Sequence, residues 1–369
     1  MLDRLDEIPW NRLTHAYGPA DDVPDLLRSL RTAPAETTGQ QSPLWHLCGN
    51  IWHQGSVYEA TAYAVPFLIE LAASPQVPDR VGILALLAEI ATGHSWRDAH
   101  GNLLKEADFA ERRAVELTWA ERAHAAVASG AAAFLAMTEE ETEVRLAAAH
   151  VLAFLPEHRD VVCARLRSMA NAETGSRERA GLLLLLGQAG DRSEATLSVL
   201  TDALLGDDPL QRRGAAVAFA YLKPVPLTDL ARSAILDAIA ADDLENSFDG
   251  LPWDVSGEVD REKLHACLDS ASREEAAVAA IVTIEAGKAT HQIVSTVLDL
   301  IFPLRPPREK PPLSGSDLSP LQKRAVRAMS FAVEGERRIF YGFFRDWGLP
   351  ETTTAWRALA ADDGPPSRR

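Results

Sequence analysis

Residues 141–155 read ETEVRLAAAHVLAFL: an acidic residue, an arginine four positions later and an alanine three beyond that. The spacing returns as Glu173/Arg177/Ala180, Asp208/Arg212/Ala215 and Asp269/Arg273/Ala276, after Glu141/Arg145/Ala148. The arginines stand 32, 35 and 61 residues apart, and the last gap is close to two repeat lengths. A thirty-odd-residue repeat that reads helix–turn–helix predicts a solenoid, in which each helix pair rests on its neighbours. The acidic residue stands at the turn, where it can cap the next helix. Asp208 before Pro209 is the clearest case. The arginine is expected to reach the acidic turn of an adjacent repeat, and the alanine to let two helices approach closely.

Outward from this stretch the pattern predicts helix pairs at 110–126 with 127–137, 142–155 with 159–170, 176–188 with 193–205, and 208–222 with 228–240. Upstream, Trp45–His53 reads as a helical segment ended by Gly55. Ser56 and Glu59 read as a capping box that starts a helix over Val57–Ala72, with Pro66 expected to kink or divide it. Another helix is expected over Pro78–Thr92, and one over Pro320–Glu334. Two interruptions break the rhythm: the acidic stretch 241–260 and the proline-rich, basic PLRPPREKPP at 303–312. The aromatic run of Phe340, Tyr341, Phe343, Phe344, Trp347 and Trp356 reads as a terminal cap.

The length of 369 residues exceeds what one compact core usually holds, a limit that a solenoid escapes. The 53 acidic residues outweigh 37 basic ones, giving −16, which disfavours nucleic acid and is compatible with a basic protein partner or with plain solubility. Cys48, Cys163 and Cys267 are scattered, with no CxxC and no disulfide framework. MLDRLDEIPWNRL shows no signal peptide, and no apolar run approaches the length of a membrane span. The simplest expectation is a soluble cytoplasmic protein.

ETEVRLAAAHVLAFL, SRERAGLLLLLGQAG (176–190), DPLQRRGAAVAFAYL (208–222) and SREEAAVAAIVTI (272–284) together resemble the HEAT-repeat family, close to bacterial HEAT-like α-solenoids. The resemblance spans about 127–290, and more weakly 60–92 and 320–335. Two departures stand out: Gln76 replaces the acidic partner of Arg80, and Gln322 replaces the arginine. Those repeats are expected to lack the ladder. HAYGPADDVPDLLRSL (15–30) and NIWHQGSVYEATAYAVPFLIEL (50–71) look like the start of actinobacterial HEAT-repeat proteins. The fold class read from spacing and resemblance is all-α, a right-handed α-solenoid of HEAT-like helix pairs. The expected organisation is a cap at 1–55, an array at 56–336 with insertions at 241–260 and 303–318, and an aromatic cap and tail at 337–369.

The resemblance implies a scaffold whose second helices line a concave face. Positions one, two and five beyond each signature arginine are then expected to face outward. They read Leu146, Ala147, His150; Glu178, Arg179, Leu182; Arg213, Gly214, Val217; and Glu274, Glu275, Val278. Mixed charge with apolar residues suits a protein groove better than a phosphate-tracking one. The expected partner-binding residues are Trp253, Asp249 and Asp254 on the acidic insertion, with Arg179, Arg213 and His150 beside the groove. His46, His53, His94 and His100 could suggest a metal, but packing and loop roles account for them, and no HExxH occurs. GxSxG, P-loop and GxGxxG are absent, so no catalytic residue and no cofactor is expected. The expected function is a non-enzymatic scaffold or adaptor for a protein partner, compatible with an inhibitor or immunity-like role. The rival is a HEAT-like DNA glycosylase, for which Asp254 beside Trp253 is the one loose match.

Overall fold

The structure, a computed structural model, describes residues 2–37, 39–100, 108–222, 229–240, 248, 250–252, 264–288, 290–302, 313–335, 344, 347–350 and 353–361. It is built of helices, with two short hairpins near the N-terminus. Chain contacts divide it into two units, Met1–Ala218 with Phe248–Asp254, and Phe219–Ser247 with Val255–Arg369.

The first unit opens with hairpin β1 (Thr14–His15) and β2 (Gly18–Pro19), then α1 (Val23–Leu30) and α2 (Pro43–Ile51). Ser42 caps α2 by accepting from the Trp45 amide at 3.3 Å, with Pro43 in the first turn. A second hairpin follows, β3 (Trp52–His53) with β4 (Ser56–Val57). This corrects the capping box expected at Ser56: Ser56 and Val57 are strand, and α3 begins at Thr61 and runs to Ala72. Glu59 is engaged elsewhere, accepting from the Thr14 amide and hydroxyl. Pro66 lies inside α3, which continues through it as one helix.

Next come α4 (Arg80–Ala91), α5 (Trp96–His100), α6 (Phe109–Ala128), α7 (Ala131–Met137), α8 (Thr142–Ala153), α9 (Arg159–Ala172), α10 (Ser176–Gln188), α11 (Glu194–Leu205) and α12 (Pro209–Tyr221). Asp79 caps α4 through the Gly82 amide at 2.9 Å, and Ser193 caps α11 through Thr196. Asp208 accepts from the Leu210 and Gln211 amides at 2.9 and 3.1 Å, as its place before Pro209 predicts. Helices α4, α8 and α10 pack side by side in one row, while α3 packs on α6 and α9 on α11. Helix α10 is buried all round from Ala180 to Gly187, the signature of a central element.

Glycine and alanine set the spacing at the end of this row. A Cβ on Gly187 would overlap Ala218, and one on Gly214 would overlap the carbonyl of Ala180. The signature alanine Ala180 therefore does meet a neighbouring backbone. Gly214, expected to face outward, is buried against it.

In the second unit α13 (Asp229–Ala240) packs on α14 (Ser270–Glu285), and α14 packs on α15 (His291–Ile301) and α16 (Pro320–Gly335). Helix α16 also carries α17 (Thr353–Ala361). Asp269 caps α14 through the Ser272 amide at 2.8 Å. Ile281, Val294, Leu298, Met329, Phe344 and Trp356 share its core. Phe344 meets Trp356 edge-on at 4.8 Å, and the indole donates to the Pro350 carbonyl at 2.5 Å. Phe340, Tyr341 and Phe343 lie outside the described residues.

Candidate functional site

The signature arginines and their neighbours tie helices together. Arg80 Nε donates to the Ala72 carbonyl at the end of α3, while its two terminal nitrogens hold Glu140 at 2.6 and 2.9 Å. The ladder therefore reaches the repeat where Gln76 had suggested a gap. Its acid comes from the turn before α8 and not from the residue four positions upstream. Arg145 holds Glu173 at 2.7 Å in the same way. In α10 the task passes from Arg177 to Arg179, whose Nε donates to Ala170 O at 2.9 Å and whose guanidinium bonds Gln211. Arg212 donates to Gly206 O, and Arg273 to His265 O. In α16 Gln322 takes this part, its amide donating to Ile301 O at 2.7 Å. Apart from Arg145, each of these side chains serves a carbonyl at or near the end of the preceding helix, where acceptors lack a partner and the dipole favours a cation.

This bonding rearranges the expected groove. Leu146, Ala147, Leu182, Gly214 and Val217 are buried, because the second helices pack on several sides, so five of the twelve outward positions are closed, while Glu274 and Glu275 are exposed. Arg179 is half-buried in the contact just described. Arg213 is half-buried on α12. His150 is half-buried on α8 and packs edge-on against Phe154 at 5.1 Å. Burial pushes its pKa down to about 3, so the ring is neutral at pH 7. Asp249, Trp253 and Asp254 lie outside the described residues. Their neighbours Phe248 and Leu251 are buried, and Gly250, with φ at +85°, sits where a Cβ would stand 3.0 Å from Arg177 Nη1.

Among the described residues the large exposed aromatics fall in the N-terminal block. Tyr17, Trp45 and Tyr63 are its large exposed aromatics, at 69%, 51% and 38%. Tyr17 sits at the tip of the first hairpin, beside the tip of the second. Its hydroxyl lies 3.3 Å from His53 Nδ1, with the rings edge-on at 5.5 Å. The second tip is Gln54-Gly55, with φ at +51° and +84°, so both residues are left-handed as a two-residue type I′ turn requires. For a glutamine this is a strained backbone. Gly55 is needed twice over, because a Cβ there would stand 2.5 Å from His94 Cε1.

A bonded framework holds these tips in place. The Tyr17 amide donates to His15 Nδ1 at 3.0 Å, so Nε2 carries the ring proton and donates to Asp22 at 3.1 Å. Asn50 donates to the other Asp22 oxygen at 2.7 Å, and its carbonyl accepts from Ala16. The Ala60 amide donates to Thr14 O, clipping the first hairpin to the start of α3. The Val57 amide donates to the carbonyl of His94 in the loop after α4, and the His94 amide donates to Gly55 O. Beyond it, the buried Glu116 carboxylate accepts from Ser95 Oγ at 2.7 Å and from the Arg97 amide at 3.0 Å, and it pairs with the Arg97 guanidinium. Burial, with the Glu116 charge adding, pushes the Tyr58 phenol up to about 12. His15 and Asp22 are thus spent on structure, while Tyr17 and His53 are presented outward.

The histidines do not converge. His46 bonds Gln40 O at 2.8 Å, His53 faces Tyr17, and His94 lies over Gly55. Among the described residues no group of three His, Cys, Asp or Glu side chains is placed to hold a metal, and no helix is long and apolar enough to cross a membrane. Burial pushes the thiols of Cys48 and Cys163 up to about 11, so both stay protonated at neutral pH.

Sequence reasoning passed over Tyr17, Gln54 and Tyr63. The available signal was a polar residue followed by glycine between short β-prone runs, HQGSVY, which is a hairpin pattern. Comparisons with known protein families, with curated proteins and with solved structures gave no match.

Proposed function

We propose that the chain is a non-enzymatic, HEAT-like α-solenoid of right-handed superhelical form, acting in the bacterial cytoplasm as a scaffold for a protein partner. The carrying observation is the gathering of exposed aromatics, Tyr17, Trp45 and Tyr63, within one block whose backbone is locked by side-chain bonds. Tyrosine and tryptophan on a rigid support bind with little ordering cost and dominate interface energies. The charge of −16 favours a basic partner. The ladder arginines serve the array, so the contact falls to the N-terminal block.

The test is affinity capture from the source cell's lysate with wild type and Tyr17→Ala side by side. The reading expects a protein retained by the wild type and depleted with Tyr17→Ala at an unchanged thermal midpoint. Retention of duplex DNA in its place, with affinity falling steeply as salt rises, would overturn it and favour the nucleic-acid reading.

A further inference from the structure

His124 stands on α6 with both ring nitrogens against acceptors. Nδ1 lies 2.8 Å from the Ala91 carbonyl, and Nε2 lies 3.1 and 3.3 Å from the two Glu157 carboxylate oxygens. The partners are 33 residues away, one before and one after, close to the 32 and 35 that separate the signature arginines. The contact therefore fastens α6 both to the end of α4 and to the Pro156–His158 turn before α9.

Each partner has a physical reason to be there. The last four carbonyls of a helix lack a partner within it. In α4, Ala88 accepts from the Thr92 amide, Glu89 from the Thr92 hydroxyl at 3.2 Å and Ile90 from the Gly93 amide, which leaves Ala91 to His124. The helix dipole favours a cation at this end. At Glu157, burial pushes the carboxyl up, but its own amide, the His124 bond and the charges of His124 and His158 outweigh burial and hold it below its ordinary 4.5. Glu157 is thus a carboxylate at neutral pH and can only accept.

A carbonyl and a carboxylate each require an N–H from the ring. A neutral imidazole has one and an imidazolium has two, so the bonds on both sides coexist only when the ring is charged. The remaining titratable groups on the surrounding elements do not bond the ring. On α3, Glu70 accepts from the Leu2 amide and Tyr63 is exposed. On α5, Arg97 and Asp98 pair with Glu116 and Arg113. On α4, Arg80 holds Glu140 and the Glu89 charge bears on the Cys48 thiol. Arg159 of α9 donates to Ala189 O, while Asp160, and Glu121 and Arg122 of α6, are exposed.

We infer that His124 is a proton-operated clamp, which ties α4, α6 and the turn before α9 together while its ring is charged and releases the turn when the ring becomes neutral. The proton that remains sits on Nδ1 and keeps the Ala91 bond. Nε2 then turns a lone pair toward the Glu157 carboxylate, and that side opens. Histidine is the side chain whose charge changes near physiological pH, so the clamp responds where the protein works. The stability it adds is full while the ring is charged and is lost as pH rises. This is opposite in sign to His150, whose burial costs stability as pH falls. The device does not depend on which partner the chain binds.

The test reads thermal midpoints of the full-length protein by differential scanning calorimetry between pH 6 and 8.5. The wild type is expected to melt above His124→Gln by about 2–4 °C at pH 6 and by under about 1 °C at pH 8.5. Taking the difference cancels titrations elsewhere, His150 included. In a Glu157→Gln background the same substitution of His124 is expected to cost the same at both pH values, because the amide can turn either its oxygen or its N–H to Nε2. His158→Gln is expected to leave the pH dependence in place. His124→Arg, a cation at every pH in this range, is expected to gain on the wild type as pH rises. A wild-type margin over His124→Gln that is constant or grows with pH would overturn the inference. So would a margin whose pH dependence survives Glu157→Gln and vanishes with His158→Gln. If His124→Gln does not fold, His124→Arg decides alone, and no gain on the wild type with rising pH overturns the clamp.

Discussion

Arg80 and Glu140 stand 60 residues apart in sequence and meet through two parallel bonds, at 2.6 and 2.9 Å, that fasten α4 to the turn before α8. The Arg80 side chain is 8% exposed, so truncating it strands a half-buried carboxylate as well as the Ala72 carbonyl. Arg80→Ala is expected to cost about 3 kcal/mol and Glu140→Gln about 1 kcal/mol in chemical denaturation. Hydrogen bonding from Arg80 holds the Glu140 carboxyl below its ordinary 4.5. The stabilisation it brings is full above that pH and is lost as pH falls further. Additive losses in the double variant would show that the two groups do not interact.

Arg179, and not the signature Arg177, bonds both Ala170 and Gln211. Arg179→Ala should therefore lower the thermal midpoint by several degrees more than Arg177→Ala. The opposite order, read by differential scanning calorimetry, would return the ladder role to Arg177.

Gly187 and Gly214 sit where any side chain would overlap Ala218 or Ala180. Gly187→Ala and Gly214→Ala are each expected to destabilise by about 1–3 kcal/mol, although alanine favours a helix by about 1 kcal/mol in an open site. A gain in stability on urea denaturation would mean that the helices are farther apart than described.

His150 titrates near 3 when folded and at an ordinary 6.5 when unfolded, because burial penalises the charged ring. Between those values the unfolded chain binds more protons, so stability falls as pH drops from 6.5 toward 3. His150→Phe should flatten the decline of thermal midpoint between pH 6.5 and 5. A decline as steep as that of the wild type would show that other groups carry it.

The helix pairs from α6 to α13 were legible because their signals are local: a cap, a proline in the first turn, an arginine in the next. Arg80 was misread because its acid lies 60 residues downstream and only folding brings it near. Arg177 and Arg179 are two positions apart and chemically alike, so spacing could not choose between them. The outward row is closed at Leu182 and Val217 for a packing reason, since a helix flanked on several sides has no free face there. The hairpins were hidden by Gln54, whose left-handed backbone is a tertiary outcome and not a preference of glutamine. Relief of that strain by Gln54→Gly is expected to raise stability by about 1 kcal/mol; a loss on urea denaturation would place a compensating contact on the glutamine side chain.

We propose that the N-terminal aromatics, and not the ladder arginines, meet the partner. Quantitative capture from one lysate by wild type, Tyr17→Ala/Tyr63→Ala and Arg179→Ala, each normalised to its folded fraction, tests it most directly. The tyrosine pair is expected to lose most of the retained protein at an unchanged thermal midpoint, while Arg179→Ala melts earlier yet retains as much per folded molecule. Loss with Arg179→Ala and none with the tyrosine pair, or no protein retained by the wild type above an unrelated acidic control, would contradict it.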